Sequence, residues 1–321
     1  MSEGNVTLAG ALEMLLGSRK LLILTHDRPD GDTLGCAAAL KSALARGGRQ
    51  VEVICGDVIR EDLRFLFGGA DRLTAPEGFE PDLVCAVDVA SRQMIGSLGG
   101  YGTVDLRIDH HGTGELFAKY NYVEADAAAC GEIIYEMLRS VPLMTKEAAD
   151  ALYTAISSDT GCFRFRNTTA RTHRIAADLA DAGADVAGIN HRIFETRSPS
   201  ELEATRLALD GLRYHADGRI AVIGFTNEMK SKYGVTEDDI SPLHALPREI
   251  SGVLLGITVR QQAEDPEEYR VSLRSGVEVD SAAICAQFGG GGHKGAAGCN
   301  VRAGSLEEAE KMIVEAAKKA L

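Results

Sequence analysis

The sequence predicts an α/β protein in two parts, a parallel doubly wound sheet followed by a smaller α/β domain with a mixed sheet, with a cleft between them. Three observations carry this prediction. Through the first half, short and nearly unbroken apolar runs alternate with Ala- and Leu-rich helical patterns, as expected of parallel strands buried on both faces. The last third changes to strand patterns joined by hairpin turns. Finally, 321 residues with 45% apolar and 25% charged side chains exceed the usual single-domain size and suffice for two cores.

The elements follow in order. Met1 to Gly17 is amphipathic, carries Glu3 and Glu13, and lacks the basic start and unbroken apolar centre of a secretion signal, so a first helix is expected there. Strands are expected at Leu21–Thr25, Val51–Cys55, Leu83–Val87 and Val104–Ile108. Between the first two, Leu34–Ala45 reads as a helix ended by Gly47-Gly48. Helical periodicity returns at Ala148–Ser158 and Thr172–Ala182, and Ser198-Pro199 opens a helix to about Leu212. Tyr214–Ala216, the turn Asp217-Gly218 and Arg219–Phe225 form a hairpin pattern. A second pairs Gly252–Gln261 with Tyr269–Arg274 across Glu264–Glu268, and Leu306–Leu321 closes as a helix. The expected bounds are a first domain over 1–185, a helical linker over 186–212 and a second domain over 213–321.

Composition narrows the function. With 47 acidic against 34 basic residues, a net charge of −13 opposes a long polyanion, so a nucleic-acid substrate must be short. The absence of Trp and only 5% aromatics argue against an extended base-stacking platform. Seven cysteines without a CxxC pair fit a reducing cytoplasm rather than a disulfide framework. No apolar run approaches the ~20 residues of a membrane span, so no membrane partner is expected.

Chemistry concentrates at strand ends. Leu21–Thr25 runs into His26-Asp27-Arg28-Pro29-Asp30-Gly31-Asp32, where Pro29 and Gly31 oppose a regular helix and Asp32 could cap the next one at Thr33. Imidazole with carboxylate oxygens suits Mn, Fe, Zn or Mg. Leu83–Val87 runs into Asp88, and Val104–Ile108 into Asp109-His110-His111. A doubly wound sheet builds its sites at these carboxyl ends. Asp159 follows the helix Ala148–Ile156, with Gly161 able to reverse the chain. His173, His191, His215 and His244 lack such neighbours and read as surface or packing residues. Neither a GxxxxGK[ST] loop nor a GxSxG elbow occurs.

His26-x-x-x-Asp30-Gly31-Asp32, Asp88, Asp109-His110-His111 and Asp159 resemble, in order, the four motifs of the DHH phosphoesterase superfamily. The stretch Gly289-Gly290-Gly291-Gly292-His293-Lys294-Gly295 resembles the signature of the first type of DHH-associated domain, and the chain is most similar to the nanoRNase/pAp phosphatase subgroup. The resemblance implies two divalent cations, manganese first with Mg2+ or Co2+ as substitutes. His26 and Asp30 would hold one, Asp32, His110 and Asp159 the other, and Asp88 both, with His111 facing the substrate phosphate and Asp109 orienting His110. Gly291, Gly292, His293, Lys294 and Arg274 would bind substrate. The implied reaction is in-line hydrolysis of short oligoribonucleotides or 3′-phosphoadenosine 5′-phosphate by a hydroxide shared between the ions. Hydrolysis of linear or cyclic dinucleotides such as pApA, and a non-catalytic nucleotide sensor, stand as alternatives. A homodimer is implied by the likeness alone.

Overall fold

The computed structural model describes residues 4–321, and for 97–101 the backbone alone. Met1 to Glu3 of the expected first helix lie outside the described residues. The chain divides into two compact units, the first ending at Thr196 and the second starting at Arg197. The segment 186–212, expected to link them, is thereby shared: a short helix and a π turn end the first unit, and Pro199–Asp210 opens the second.

In the first unit six parallel strands form one sheet: β1 (Gly4–Asn5), β2 (Lys20–Leu24), β3 (Gln50–Ile54), β4 (Leu83–Val87), β5 (Leu106–Asp109) and β6 (Tyr120–Val123). Their order is β1-β6-β5-β4-β2-β3. The apolar runs become strands because both faces are covered: Leu21 and Ile23 join one core cluster while Leu22 and Leu24 join another on the opposite side. Helices α1 (Leu8–Gly17), α2 (Gly31–Arg46), α3 (Cys130–Arg139), α4 (Lys146–Asp159), α5 (Ala170–Asp181) and α6 (Val186–Asn190) accompany the sheet. Following β2 the chain moves outward to β3 and then returns to the other side as β4, so the strand order reverses between β2 and β4. Ligand sites in doubly wound sheets form at the carboxyl ends beside such a reversal.

The helix after β2 begins earlier than its apolar pattern. Gly31 is its first residue, and the Asp30 carboxylate accepts from the amides of Asp32 and Thr33 at 3.0 and 3.1 Å. Asp30, rather than the alternative Asp32, therefore caps the helix. Pro29 stays outside, and Asp32 is freed for another role.

The second unit has α7 (Pro199–Asp210), β7 (Arg213–His215), β8 (Ile220–Phe225), α8 (Asn227–Tyr233), α9 (Glu237–Ile240), β9 (Leu255–Gln261), β10 (Glu268–Ser275), α10 (Ser281–Ala286), β11 (Gly291–His293), β12 (Ala296–Arg302) and α11 (Leu306–Lys318). Its sheet runs β11-β12-β10-β9-β8-β7 and is mixed, since β8 and β9 are parallel and the other pairs antiparallel. The first hairpin turns through Ala216, Asp217 and Gly218, all at positive φ. Val259, Val271, Leu273 and Val301 pack with Ile313 and Val314 of α11 in this unit's main core.

Candidate metal centre

Three neighbouring strands deliver the side chains of the first unit's site. His26 follows β2 and is 7% exposed; Asp88 follows β4 and is 3% exposed; Asp109 is the last residue of β5 and is fully buried. Asp32 enters from the first turn of α2, and Asp159 ends α4. These two elements can meet because Gly31 has no Cβ; one built there would lie 2.4 Å from Ser158 Oγ.

The side-chain donor atoms converge without hydrogen-bonding one another. His26 Nε2 lies 3.7 Å from Asp30 Oδ1 and 3.8 Å from Asp88 Oδ2. His110 Nε2 lies 3.6 Å from Asp88 Oδ1, 3.7 Å from Asp159 Oδ2 and 3.9 Å from Asp32 Oδ2. Such separations exceed those of hydrogen bonds. They suit donors arranged about a cation at roughly 2.0–2.2 Å from each. His26, Asp30 and Asp88 form one potential ion-binding group, Asp32, His110 and Asp159 another, and Asp88, His110 and His111 a third.

Electrostatics points the same way. Burial, then repulsion from Asp159 and Asp30, pushes the Asp32 carboxyl well above the carboxylate range. Asp88 is raised well above it by burial and then by Asp32. Two buried acids that resist ionising together call for positive charge between them. Asp32 already uses oxygens on the Cys130 and Gly131 amides at the start of α3, at 2.7 and 2.9 Å. Asp88 differs. Its Oδ1 is buried with no hydrogen-bond partner, and its backbone sits at φ 56°, an unfavourable conformation for a residue with a Cβ. An orphaned carboxylate oxygen among imidazoles and carboxylates fits a divalent cation.

The Asp109 expectation needs correction. Asp109 Oδ1 accepts from the His111 ring at 2.8 Å and from the amides of His110 and His111, whereas His110 Nδ1 donates to the Ala127 carbonyl at 3.1 Å. Asp109 therefore orients the ring of His111, while a main-chain oxygen orients that of His110. The hydrogen bond to Asp109 raises His111 above the usual histidine range despite opposing burial. Behind them lies a residue that sequence reasoning missed. Arg107 is fully buried, gives Nε to the Val89 carbonyl at 2.7 Å, and pairs with Asp109 Oδ2. Its only signal was a guanidinium inside an apolar strand, two residues before an acid on the same face.

The residues expected to bind substrate lie in the second unit. Gly291, Gly292 and His293 form edge strand β11 rather than a free loop, and they and Lys294 are exposed. Glycine is required at 292, where a Cβ would lie 2.6 Å from the Ala296 carbonyl and φ is 141°. Arg274 is half-buried on β10; it pairs in register with Ala296, which pairs with His293 across β12.

The comparisons accord with this arrangement. Residues 20–156 match the DHH family, N-terminal domain, and residues 219–319 match the DHHA1 domain. The chain is 29% identical over 303 residues to the bifunctional oligoribonuclease and PAP phosphatase NrnA of Thermus thermophilus, covering 94% of this chain and 90% of that protein. It is 25% identical over 301 residues to the protein of the same description from Bacillus subtilis, covering 92% and 93%. In fold it resembles the crystal structure of an exopolyphosphatase-related protein from Bacteroides fragilis, with a TM-score of 0.87 at 24% identity over 97% of this chain and 96% of the other. The strand-end acids and histidines in the first unit, the glycine-rich edge strand in the second and both domain matches agree: the chain belongs to the DHH family, its DHH domain followed by a DHHA1 domain.

Proposed function

We propose that the protein is a hydrolase of short oligoribonucleotides and of 3′-phosphoadenosine 5′-phosphate, dependent on two divalent cations with manganese preferred. The observation that carries this reading is Asp88, whose carboxylate lies between His26 and His110 with one buried oxygen unpartnered. The relatives' description as oligoribonuclease and PAP phosphatase supports the substrate class. His26, Asp30 and Asp88 would hold one ion, and Asp32, His110 and Asp159 the other, with Asp88 shared. When bound, such ions acidify water and neutralise charge on phosphoryl oxygens.

The chain's own residues do the rest. Asp109 fixes the His111 ring through Nδ1 and, by that hydrogen bond, raises its pKa against the opposing burial, favouring the imidazolium whose Nε2–H would donate to a phosphoryl oxygen. Arg107 pairs with Asp109 and holds it in place from behind. In the second unit, Arg274, His293, Lys294 and the amides of Gly291 and Gly292 would bind a substrate phosphate.

The test is an assay of the full chain with Mn2+, Mg2+ or Co2+ against pAp, pApA, a five-nucleotide RNA and pyrophosphate. Release of mononucleotide or phosphate from the RNA or pAp is expected, with Asp88→Asn lowering kcat by about 100-fold or more. Failure to turn over any of these with any ion would overturn the reading; exclusive cleavage of pApA would replace it with a dinucleotide phosphodiesterase.

A further inference from the structure

Helix α3 begins without a cap of its own. Ala129 stands at its N-cap position and offers no side-chain acceptor. The first two amides of the helix, those of Cys130 and Gly131, are satisfied instead by the Asp32 carboxylate of α2. Wherever the start of α3 sits, the Asp32 oxygens are drawn with it. Gly131 permits the approach, since a Cβ there would lie 2.7 Å from the Ala155 methyl of α4.

The same short segment touches the other two members of that donor group. The Ala127 carbonyl accepts from the His110 ring at 3.1 Å. The Ala128 carbonyl accepts from Asn167 Nδ2 at 2.8 Å, and that side-chain amide also donates to the Asp159 carbonyl at 3.1 Å. His26 and Asp30 stand apart. The His26 ring donates to the Asp27 carbonyl at 2.8 Å, and the Asp30 carboxylate accepts from the amides of Asp32 and Thr33. Among the described residues, 127–131 therefore hold Asp32, His110 and, through Asn167, Asp159, and make no hydrogen bond to the side chain of His26 or Asp30.

The segment is itself held at both ends. Before it, the Glu124 amide donates to the Asp109 carbonyl at 3.0 Å, and the Glu124 carboxylate accepts from the Tyr122 hydroxyl at 3.0 Å. After it, Glu132 is 1% exposed; one carboxylate oxygen accepts from the Ala128 amide at 3.3 Å and the other has no hydrogen-bond partner. Arg171 of α5 reaches both acids: its Nη1 pairs with Glu124, and its Nε lies 3.6 Å from Glu132. A buried carboxylate stripped of its cation is costly, and a guanidinium spans two acids in a fixed geometry that an ammonium does not reproduce. We propose that Arg171 is a positioning residue that, by tying Glu124 to Glu132, fixes residues 127–131 and so sets the Asp32, His110 and Asp159 donor group while leaving the His26 and Asp30 group alone. The inference rests on the two-ion reading above for what that donor group holds; the fixing of the segment does not.

Two measurements on the full chain test this. In the first, metal-free protein is titrated calorimetrically with Mn2+. Arg171→Met should weaken one of the two binding events by about ten-fold, the size expected when a group that orients a ligand is lost, and leave the other within about two-fold. Arg171→Lys keeps a cation beside Glu132, guards against misfolding of the first variant, and should weaken the same event by about three-fold. Arg174→Met removes a charge from an exposed position of the same helix and should change neither. Two events left as in wild type, or both weakened alike as general loosening of the fold would do, would overturn the proposal. The second measurement needs no ion: amide hydrogen exchange is followed by NMR in EDTA. Arg171→Met should speed exchange at Cys130 and Gly131 by about ten-fold while the Thr33 amide, held by Asp30, keeps its rate. Unchanged exchange at Cys130 and Gly131 would equally overturn it. A wild-type chain that takes up no manganese would remove the proposed reaction, and the exchange rates would still decide whether Arg171 fixes the segment.

Discussion

Arg107 carries a buried charge with one carboxylate for a partner, and its Nη1 has none. Breaking a buried ion pair from one side leaves the other charge stranded. Arg107→Met should therefore destabilise the protein by about 3 kcal/mol, and Arg107→Met with Asp109→Asn should cost less than the two single changes added. Urea unfolding measures both; a single variant that unfolds at the wild-type midpoint would contradict the account. The acids and imidazoles of the centre were legible because each follows an apolar strand or helix, where a polar side chain needs a reason. Arg107 was not, since its burial depends on Phe117 and Gly114 packing over it, and these are distant in pattern though close in space. The same holds for His244, which a one-dimensional reading leaves among surface or packing residues, and whose imidazole burial and then the charges of nearby arginines depress to about 3.

Helices α2 and α4 approach closely through glycine. A Cβ on Gly35 would lie 2.4 Å from the Ala151 carbonyl and 2.8 Å from the Ala155 methyl. Alanine here would gain about 1 kcal/mol of helix propensity and lose about 1–3 kcal/mol to overpacking, and the rigid backbone contact places the net at the destabilising end. Gly35→Ala is accordingly expected to lower the thermal midpoint, and because Asp32 rides on α2 and Asp159 on α4, to weaken manganese binding in a calorimetric titration as well. A variant with raised stability and unchanged affinity would show that the helices can move apart freely. At this scale the buried strands were read closely from their apolar runs, but β1 and β6 were not foreseen. Gly4–Asn5 is two residues long, and Tyr120–Val123 is short and polar at Asn121; only pairing in the sheet makes them strands. The start of α2 was read late because Gly31, a poor helix former in isolation, is fixed there by the Asp30 cap.

Across the molecule, the net charge of −13 includes carboxylates crowded at one point, so metal-free protein holds unbalanced repulsion. Cations that bind only the folded chain stabilise it by mass action, about 2.7 kcal/mol at a hundred times the dissociation constant. Manganese should raise the thermal midpoint of EDTA-treated protein by about 5 °C or more, and Asp88→Asn should remove most of that rise. Equal midpoints with and without the ion would show that the donor cluster binds none. Among the described residues no helix is long and apolar enough to cross a membrane. The sequence by itself determined the α/β class, the order of the principal strands and the acids and histidines at their ends, because burial of apolar runs and the placement of polar residues after them are local patterns. Tertiary structure alone decided that Asp109 serves His111, that Arg107 stands behind it, and that Arg260 faces Arg270, because cross-strand register and long-range packing choose partners that adjacency along the chain does not encode.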